Sequence, residues 1–244
     1  FQHSLGPALL DVDARAGSAD PTREASALVY APSATLRIAR AGETLRFADQ
    51  QGTMHLLDIV TAQTLESGNR LIRAERGSKS ILAIVTESGD YTATVQLGEM
   101  RFQASIISGK TLLFKIDEQK PYDPSEGPSD IVPGPDASSR VAGTVTERPM
   151  KADNACGVPT RTAIITIGVV YDDGIANSMD PAAEIDLLIA ETNRIYQASD
   201  VDIRFEAVDP LHYQPEDTSD FANMIAYAES TEVQAWLQAA KPDL

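Results

Sequence analysis

Short segments of apolar and alternating residues dominate the first half of the chain. Four of them follow one another at residues 80–85, 91–95, 100–106 and 111–116, and a glycine lies between each neighbouring pair. Alternation places successive side chains on opposite faces of a strand, and strands repeated at about ten-residue spacing are typical of a meander. These segments therefore predict antiparallel β-structure.

Two earlier apolar segments extend this prediction. Residues 35–39 alternate and residues 54–60 form an apolar run, so both are expected to be strands, with a short helix between them around residues 43–50. Residues 1–118 are therefore predicted to form one antiparallel, β-rich domain.

Proline and glycine change the character of the chain after residue 118. Six prolines lie within residues 119–150, mixed with glycine, serine and acidic residues. Such a segment buries too little apolar surface to offset the conformational entropy lost on ordering. Residues 119–160 are predicted to be a Pro-rich linker that is accessible to proteases.

The pattern becomes α/β in residues 161–244. Residues 162–171 are dense in β-branched side chains and predict a well-buried strand, which a turn at 172–174 follows. Asp180 then suits an N-cap and Pro181 a first helical position, so a helix is expected over 181–198. Its predicted apolar face comprises Ile185, Leu188, Ile189, Ile195 and Tyr196.

The remaining elements leave this unit small. Residues 201–208 alternate and predict a second strand, and two helices are expected at 219–228 and 231–240, the latter opened by Thr231 and Gln234 in capping-box spacing. A sheet of two strands is too small to be complete. We expect an α+β protein whose α/β part is incomplete and continues beyond Leu244.

Charge and composition exclude several classes of partner. The net charge is −16 and the pI about 4.5, without the clustered Lys and Arg that phosphate binding needs. Neither nucleic acid nor an anionic membrane surface is expected, and no apolar run is long enough for a membrane span. Residues 1–4 lack the features of a signal peptide, so a secreted or periplasmic protein is expected to have lost its signal already.

Three segments of the α/β part resemble a known family. A strand ending in Val170-Tyr171, a helix carrying Glu191-Thr192-Asn193 followed by Tyr196, and a strand beginning Val201-Asp202-Ile203-Arg204-Phe205 are similar to the opening of bacterial reprolysin-like metallopeptidases, within the metzincins. The likeness covers residues 164–244. The β-rich region and the linker resemble the propeptides of these enzymes, although this part of the likeness is weaker.

The resemblance implies a secreted zinc metalloendopeptidase that acts on protein or peptide substrates. Residues 1–118 would be its propeptide and residues 161–244 the first part of a metzincin-like catalytic domain, with an activating protease cutting the linker. The three histidines, His3, His55 and His212, do not form the His-Glu-x-x-His pattern of a zinc helix. No catalytic residue is therefore expected in this chain, and its zinc ligands are expected beyond residue 244.

Other candidate ligands have plainer interpretations. His212, in a Pro-flanked loop, is predicted to be a surface residue and His55 a hydrogen-bonded residue of a strand. Asp172, Asp173, Asp180 and Asp186 lack the regular spacing of a calcium loop. They are expected in turns and at helix starts.

The single cysteine is the one candidate metal ligand. Cys156-Gly157-Val158-Pro159 resembles the cysteine-switch segment of matrix metalloproteinase propeptides, in which a thiolate occupies the open position on zinc. Ala155 and Thr160 replace the Arg and Asp that flank that segment. Cys156 is therefore predicted to block zinc in the latent form, with a disulfide to a later cysteine and a free thiol as alternatives.

A second functional hypothesis belongs to another class. The chain could be a non-enzymatic exported module that binds or inhibits a protein through its β domain. A His-Glu-x-x-His segment following Leu244 would favour the peptidase, and its absence the binding module.

Overall fold

The computed structural model describes residues 2–13, 26–116, 162–214 and 230–243. The first two ranges contain a 3-10 helix at Ala34–Ile38 and ten strands: β1 (Gln2–Leu5), β2 (Pro7–Asp13), β3 (Ser26–Tyr30), β4 (Thr44–Ala48), β5 (Met54–Thr64), β6 (Arg70–Arg76), β7 (Lys79–Val85), β8 (Tyr91–Leu97), β9 (Met100–Ile107) and β10 (Lys110–Ile116). The other two contain β11 (Ala163–Ile167), β12 (Val170–Tyr171), α1 (Asp173–Ser178), α2 (Pro181–Ala198), β13 (Ile203–Ala207), β14 (Leu211–His212) and α3 (Thr231–Ala240). The predicted α+β class and the β-rich N-terminal region are confirmed.

The first ten strands form a single sheet that curls on itself. Their order is β1-β4-β5-β6-β7-β8-β9-β10-β3-β2, so β1 and β2 lie at opposite edges although only Gly6 separates them in sequence. The two edges must therefore meet at Gly6, which leaves little open edge. We call this unit, residues 2–116, the curled sheet.

The curled sheet is mixed rather than purely antiparallel. β1 pairs with β4 in parallel, whereas every other pair is antiparallel. The predicted antiparallel domain is wrong on this point, because the pairing of β1 follows from closure of the sheet and not from a local turn.

Aromatic and aliphatic side chains fill the inside of the curled sheet. Tyr30 and Phe47 stack with ring centroids 6.0 Å apart, and Tyr91 meets Tyr30 edge-on at 6.2 Å. All three rings are buried. Burial raises the pKa of the Tyr30 hydroxyl and the nearby Asp49 carboxylate raises it further, so this hydroxyl stays protonated and donates to the carbonyl of Ala48.

Two local predictions in the curled sheet are wrong. Residues 34–38 form a 3-10 helix instead of a strand, because the amide of Leu36 donates to the Ser33 carbonyl and the Leu36 side chain is buried there. Residues 44–48 form β4 instead of a helix, since Leu45 and Phe47 are two apart and both point inward.

The α/β part is built around helix α2. β11 pairs in parallel with β13 and β12 with β14. The predicted helix over 181–198 is confirmed, and Asp180 caps it by accepting from the Ala183 amide at 3.1 Å. Helix α3 also matches its predicted range, although Ser230 and not Thr231 is its N-cap. The helix predicted at 219–228 lies outside the described residues.

The predicted strand 162–171 is interrupted at Gly168 and is less buried than expected. A Cβ at Gly168 would lie 2.7 Å from Cη2 of Trp236, so the tryptophan ring occupies the space beside the backbone. Ile164 of β11 is 57% exposed. The predicted turn at 172–174 is instead the start of α1, capped by Asp172.

A buried carboxylate organises the turn between β4 and β5. Asp49 accepts from the amides of Gln51 and Thr53 and from Nε2 of His55 at 2.9 Å. Lys79 donates to Nδ1 of His55, which fixes the ring proton on Nε2. Burial tends to raise the pKa of Asp49, but the hydrogen bonds from His55 and the two amides outweigh it and hold the pKa below its ordinary value.

None of the helices in the described segments is long and apolar enough to cross a membrane.

Replacing Asp49 should alter the acid stability of the protein. We expect Asp49→Asn to lower the free energy of unfolding by about 2 kcal/mol at neutral pH, through the loss of charged hydrogen bonds. Because the folded-state pKa is depressed, the difference from the unchanged protein should be fully present above the unfolded pKa of about 3.9 and shrink as pH falls below it. Urea unfolding between pH 2 and 7 measures this difference.

Asp58→Asn is the matched control, because Asp58 forms an exposed pair with Arg76 that solvent screens. An Asp49 effect no larger than the Asp58 effect, or one independent of pH, would contradict this assignment.

Adding a methyl group at Gly168 should displace Trp236. We expect Gly168→Ala to cost about 1–3 kcal/mol of stability through overpacking. The chain has one tryptophan, so its fluorescence reports on this site alone and should shift to the red. Gly6→Ala is the control, since its Cβ would meet nothing closer than Ser4 Oγ at 3.7 Å. An unchanged emission spectrum would show that the ring does not lie on the backbone.

Candidate functional site

The outer face of the curled sheet is apolar at β7 and β9, where helix α2 covers it. Ile81, Ala83 and Val85 point into the sheet interior, whereas Leu82 and Ile84 point outward and are nevertheless 5% and 0% exposed. They pack with Ile106 of β9 and with two residues of α2, Ala183 and Leu187. Partly buried Leu65, Leu71 and Ala190 surround this cluster.

Two acidic residues of α2 form hydrogen bonds on either side of that cluster. Asp186 Oδ2 accepts from Ser67 Oγ at 2.6 Å and from Asn69 Nδ2 at 2.8 Å. Glu184 Oε1 accepts from Thr92 Oγ1 at 2.7 Å. We call these contacts and the five buried residues of the cluster the docking interface, and it joins the curled sheet to the α/β part.

The start of α2 is attached to the same surface. The backbone amide of Asp180, the N-cap residue, donates to the carbonyl of Ile106 at 3.1 Å. An exposed helix start would leave such an amide to water, whereas here the sheet supplies its acceptor. The interface therefore sets both the position of α2 and the residue at which it begins.

The spacing along α2 explains the arrangement of the interface. Ala183, Leu187 and Ala190 are four and three residues apart and so share one face, while Glu184 and Asp186 lie about 80° to either side of it. Alanine at two of these positions allows the helix backbone to approach the sheet closely. The carboxylates can then reach the hydroxyl and amide groups at both flanks.

The predicted apolar face of α2 is therefore only partly right. Ile185 is buried, but Leu188 is 62% and Ile195 58% exposed. The face that contacts the sheet contains two alanines, which carry a weaker hydrophobic signal than the isoleucines and leucines chosen from sequence. Asp186, predicted at a turn or helix start, lies inside the helix and binds the curled sheet.

Helix α2 also holds strand β13, through the residues that carry the family resemblance. Asn193 Nδ2 donates to the Phe205 carbonyl at 2.9 Å, and the Phe205 amide donates to Asn193 Oδ1 at 2.7 Å. Tyr196 meets Phe205 edge-on with ring centroids 5.0 Å apart. The Asn193 side chain thus bonds to β13 as the backbone of a neighbouring strand would. Asn193 and Tyr196 together hold α2 against β13.

A groove of about 850 Å³ runs between the curled sheet and β13, alongside α2. Thr61, Gln63 and Arg73 line one wall, and Arg204 and Glu206 belong to the other. Arg204 and Glu206 lie 3.3 Å apart as an ion pair. Ser67 and Asp186 also line the groove, so it is continuous with the docking interface.

Each histidine in the described segments has a carboxylate partner. His3 Nε2 lies 2.6 Å from Glu43, His55 is held by Asp49 as described, and His212 lies 2.8 Å from Asp173. His212 also stacks on Tyr171 and is half-exposed. No group of three His, Cys, Asp or Glu that could hold a metal occurs within these segments.

The other predicted positions divide into two kinds. Asp172 and Asp180 have the expected helix-start roles, accepting from the amides of Ile175 and Ala183. Cys156, the predicted zinc-blocking ligand, lies outside the described residues, so its role stays a prediction.

Comparison with protein families, curated proteins and solved structures yields no match for this chain. A functional conclusion therefore depends on the described geometry and the sequence resemblance.

Removing the Asn193 side chain should loosen β13 from α2. We expect Asn193→Ala to destabilise the protein by about 2 kcal/mol, because two hydrogen bonds are lost together. The exchange rate of the Phe205 amide proton should rise. Asn193→Asp retains the acceptor for that amide but not the donor, so it should protect the amide better than alanine does.

Leu188→Ala on the exposed face of α2 is the control and should leave the Phe205 amide protected. Equal exchange rates in all three variants would show that Asn193 does not hold the strand edge.

Proposed function

We propose that this chain is the proenzyme portion of a secreted zinc metalloendopeptidase. Residues 1–118 would act as a propeptide that keeps the enzyme latent, and residues 161–244 as the first part of a metzincin-like catalytic unit. The observation that carries this proposal is the docking interface. The curled sheet, which would be the propeptide, is in direct contact with α2, the helix on which the family resemblance depends.

The roles of the motif residues support the same assignment. Asn193 and Tyr196 join α2 to β13, which pairs in parallel with β11. Residues that hold a helix against a strand are expected in proteins that contain the same strand–helix–strand unit. The sequence likeness to reprolysin-like enzymes therefore lies in residues that pack this unit together.

The described residues do not themselves fit a zinc site. Their histidines are each engaged with a single carboxylate and are not clustered. We therefore assign no step of peptide hydrolysis to them, and the zinc ligands are proposed to lie beyond residue 244. Cys156 is proposed as the group that blocks the metal, because its Cys-Gly-Val-Pro sequence suits an extended segment carrying a thiolate.

The test is made on the natural secreted product. Its intact mass, zinc content and peptidase activity are measured before and after limited proteolysis of the linker. A species larger than residues 1–244 that binds one zinc per molecule, and becomes active once it has been cut and the curled sheet removed, supports the proposal. A product that binds no zinc and stays inert overturns it and favours the protein-binding module.

A second variant tests Cys156 in that same product. Cys156→Ser should raise the peptidase activity of the uncut protein, because serine is a much weaker zinc ligand than thiolate. The activity of the fully cut protein should not change. If uncut Cys156→Ser remains as inactive as the unchanged protein, the disulfide or free-thiol alternative replaces the switch.

A further inference from the structure

We propose that the docking interface keeps the curled sheet bound to the α/β part after the linker has been cut. Cleavage would then yield a non-covalent complex, and a separate event that breaks the interface would be needed to release the sheet. The inference deepens the proposed function, on which it rests for the cutting of the linker. The contacts themselves do not depend on any catalytic activity.

The apolar centre of the interface opposes separation. Leu82 and Ile84 of β7 and Ile106 of β9 are at most 6% exposed and pack in one cluster with Ala183 and Leu187 of α2. Without α2, these side chains and the partly buried Leu71 would present an apolar patch to water. Exposing such a patch is unfavourable whether or not a linker connects the two parts.

The flanking carboxylates add hydrogen bonds to neutral donors of the sheet. Asp186 and Glu184 accept from Ser67, Asn69 and Thr92. Hydrogen bonds to a charged acceptor are stronger than those between neutral groups.

The sheet presents these donors in a preformed arrangement. The turn between β5 and β6 is closed by the amide of Leu65 donating to the Asn69 carbonyl at 2.8 Å and by Gly68, whose φ of +85° favours glycine. The backbone amide of Asn69 donates to Ser67 Oγ. A preorganised surface loses little entropy on binding, so affinity does not require the covalent connection.

The experiment uses the full chain with a site-specific protease sequence inserted after Gly134, within the Pro-rich segment. The chain is cut to completion and examined at micromolar concentration by size-exclusion chromatography and native mass spectrometry. We expect the two fragments to elute together as a one-to-one complex. Fragments of the unchanged interface that elute separately would overturn the inference.

Matched variants identify the contacts responsible. Asp186→Ala should raise the dissociation constant of the cut complex at least tenfold, as expected for loss of hydrogen bonds to a charged group. Thr92→Val removes the hydroxyl that is shared between Glu184 Oε1 and the carbonyl of Ala104, with little change of shape, and should weaken the complex in the same direction. Leu188→Ala, on the exposed side of α2, should leave the complex intact.

Two controls keep the result interpretable. Circular dichroism of each uncut variant shows whether it is folded. If Asp186→Ala does not fold, Thr92→Val tests the interface in its place. A complex that persists while Asp186→Ala and Thr92→Val bind as tightly as the unchanged chain would overturn the assignment to this interface.

The zinc and peptidase measurements on the natural product test the proposed function separately. A stable cut complex from a product that binds no zinc, and that stays inactive after the curled sheet has been removed, overturns the enzyme and leaves the interface. A zinc-binding, active enzyme whose cut fragments separate overturns the interface and leaves the enzyme.

Discussion

The burial of β7 on both faces is the constraint on which the arrangement of this protein depends. A strand at the surface of a closed sheet ordinarily turns one set of side chains to water, as β5 does over most of its length. Leu82 and Ile84 instead require a cover, and α2 supplies it. The same helix anchors β13 through Asn193, so one helix connects the curled sheet to the parallel strands.

Carboxylates complete these contacts through hydrogen bonds. Within the described segments, Asp49, Asp186 and Glu184 accept from hydroxyl, amide and imidazole donors. At Asp49 these hydrogen bonds more than offset burial and lower its pKa.

In the proposed proenzyme, the interface would also give latency a physical form. A propeptide that contacts the enzyme only through a linker would be lost when that linker is cut. A propeptide held by an apolar cluster and by carboxylate hydrogen bonds would remain until the surface itself is disrupted. Linker cleavage and propeptide release are then two steps with different physical requirements.

The sequence by itself determined the elements whose signals are local. The meander of β7 to β10 follows from alternation and glycine turns, and α2 from its Asp180-Pro181 start. Only the tertiary structure decided the parallel pairing of β1, the break at Gly168 beneath Trp236, and the use of alanines in the docking face of α2. These features depend on contacts between residues distant in sequence, such as Asn69 and Asp186 with a sequence separation of 117, which no local pattern encodes.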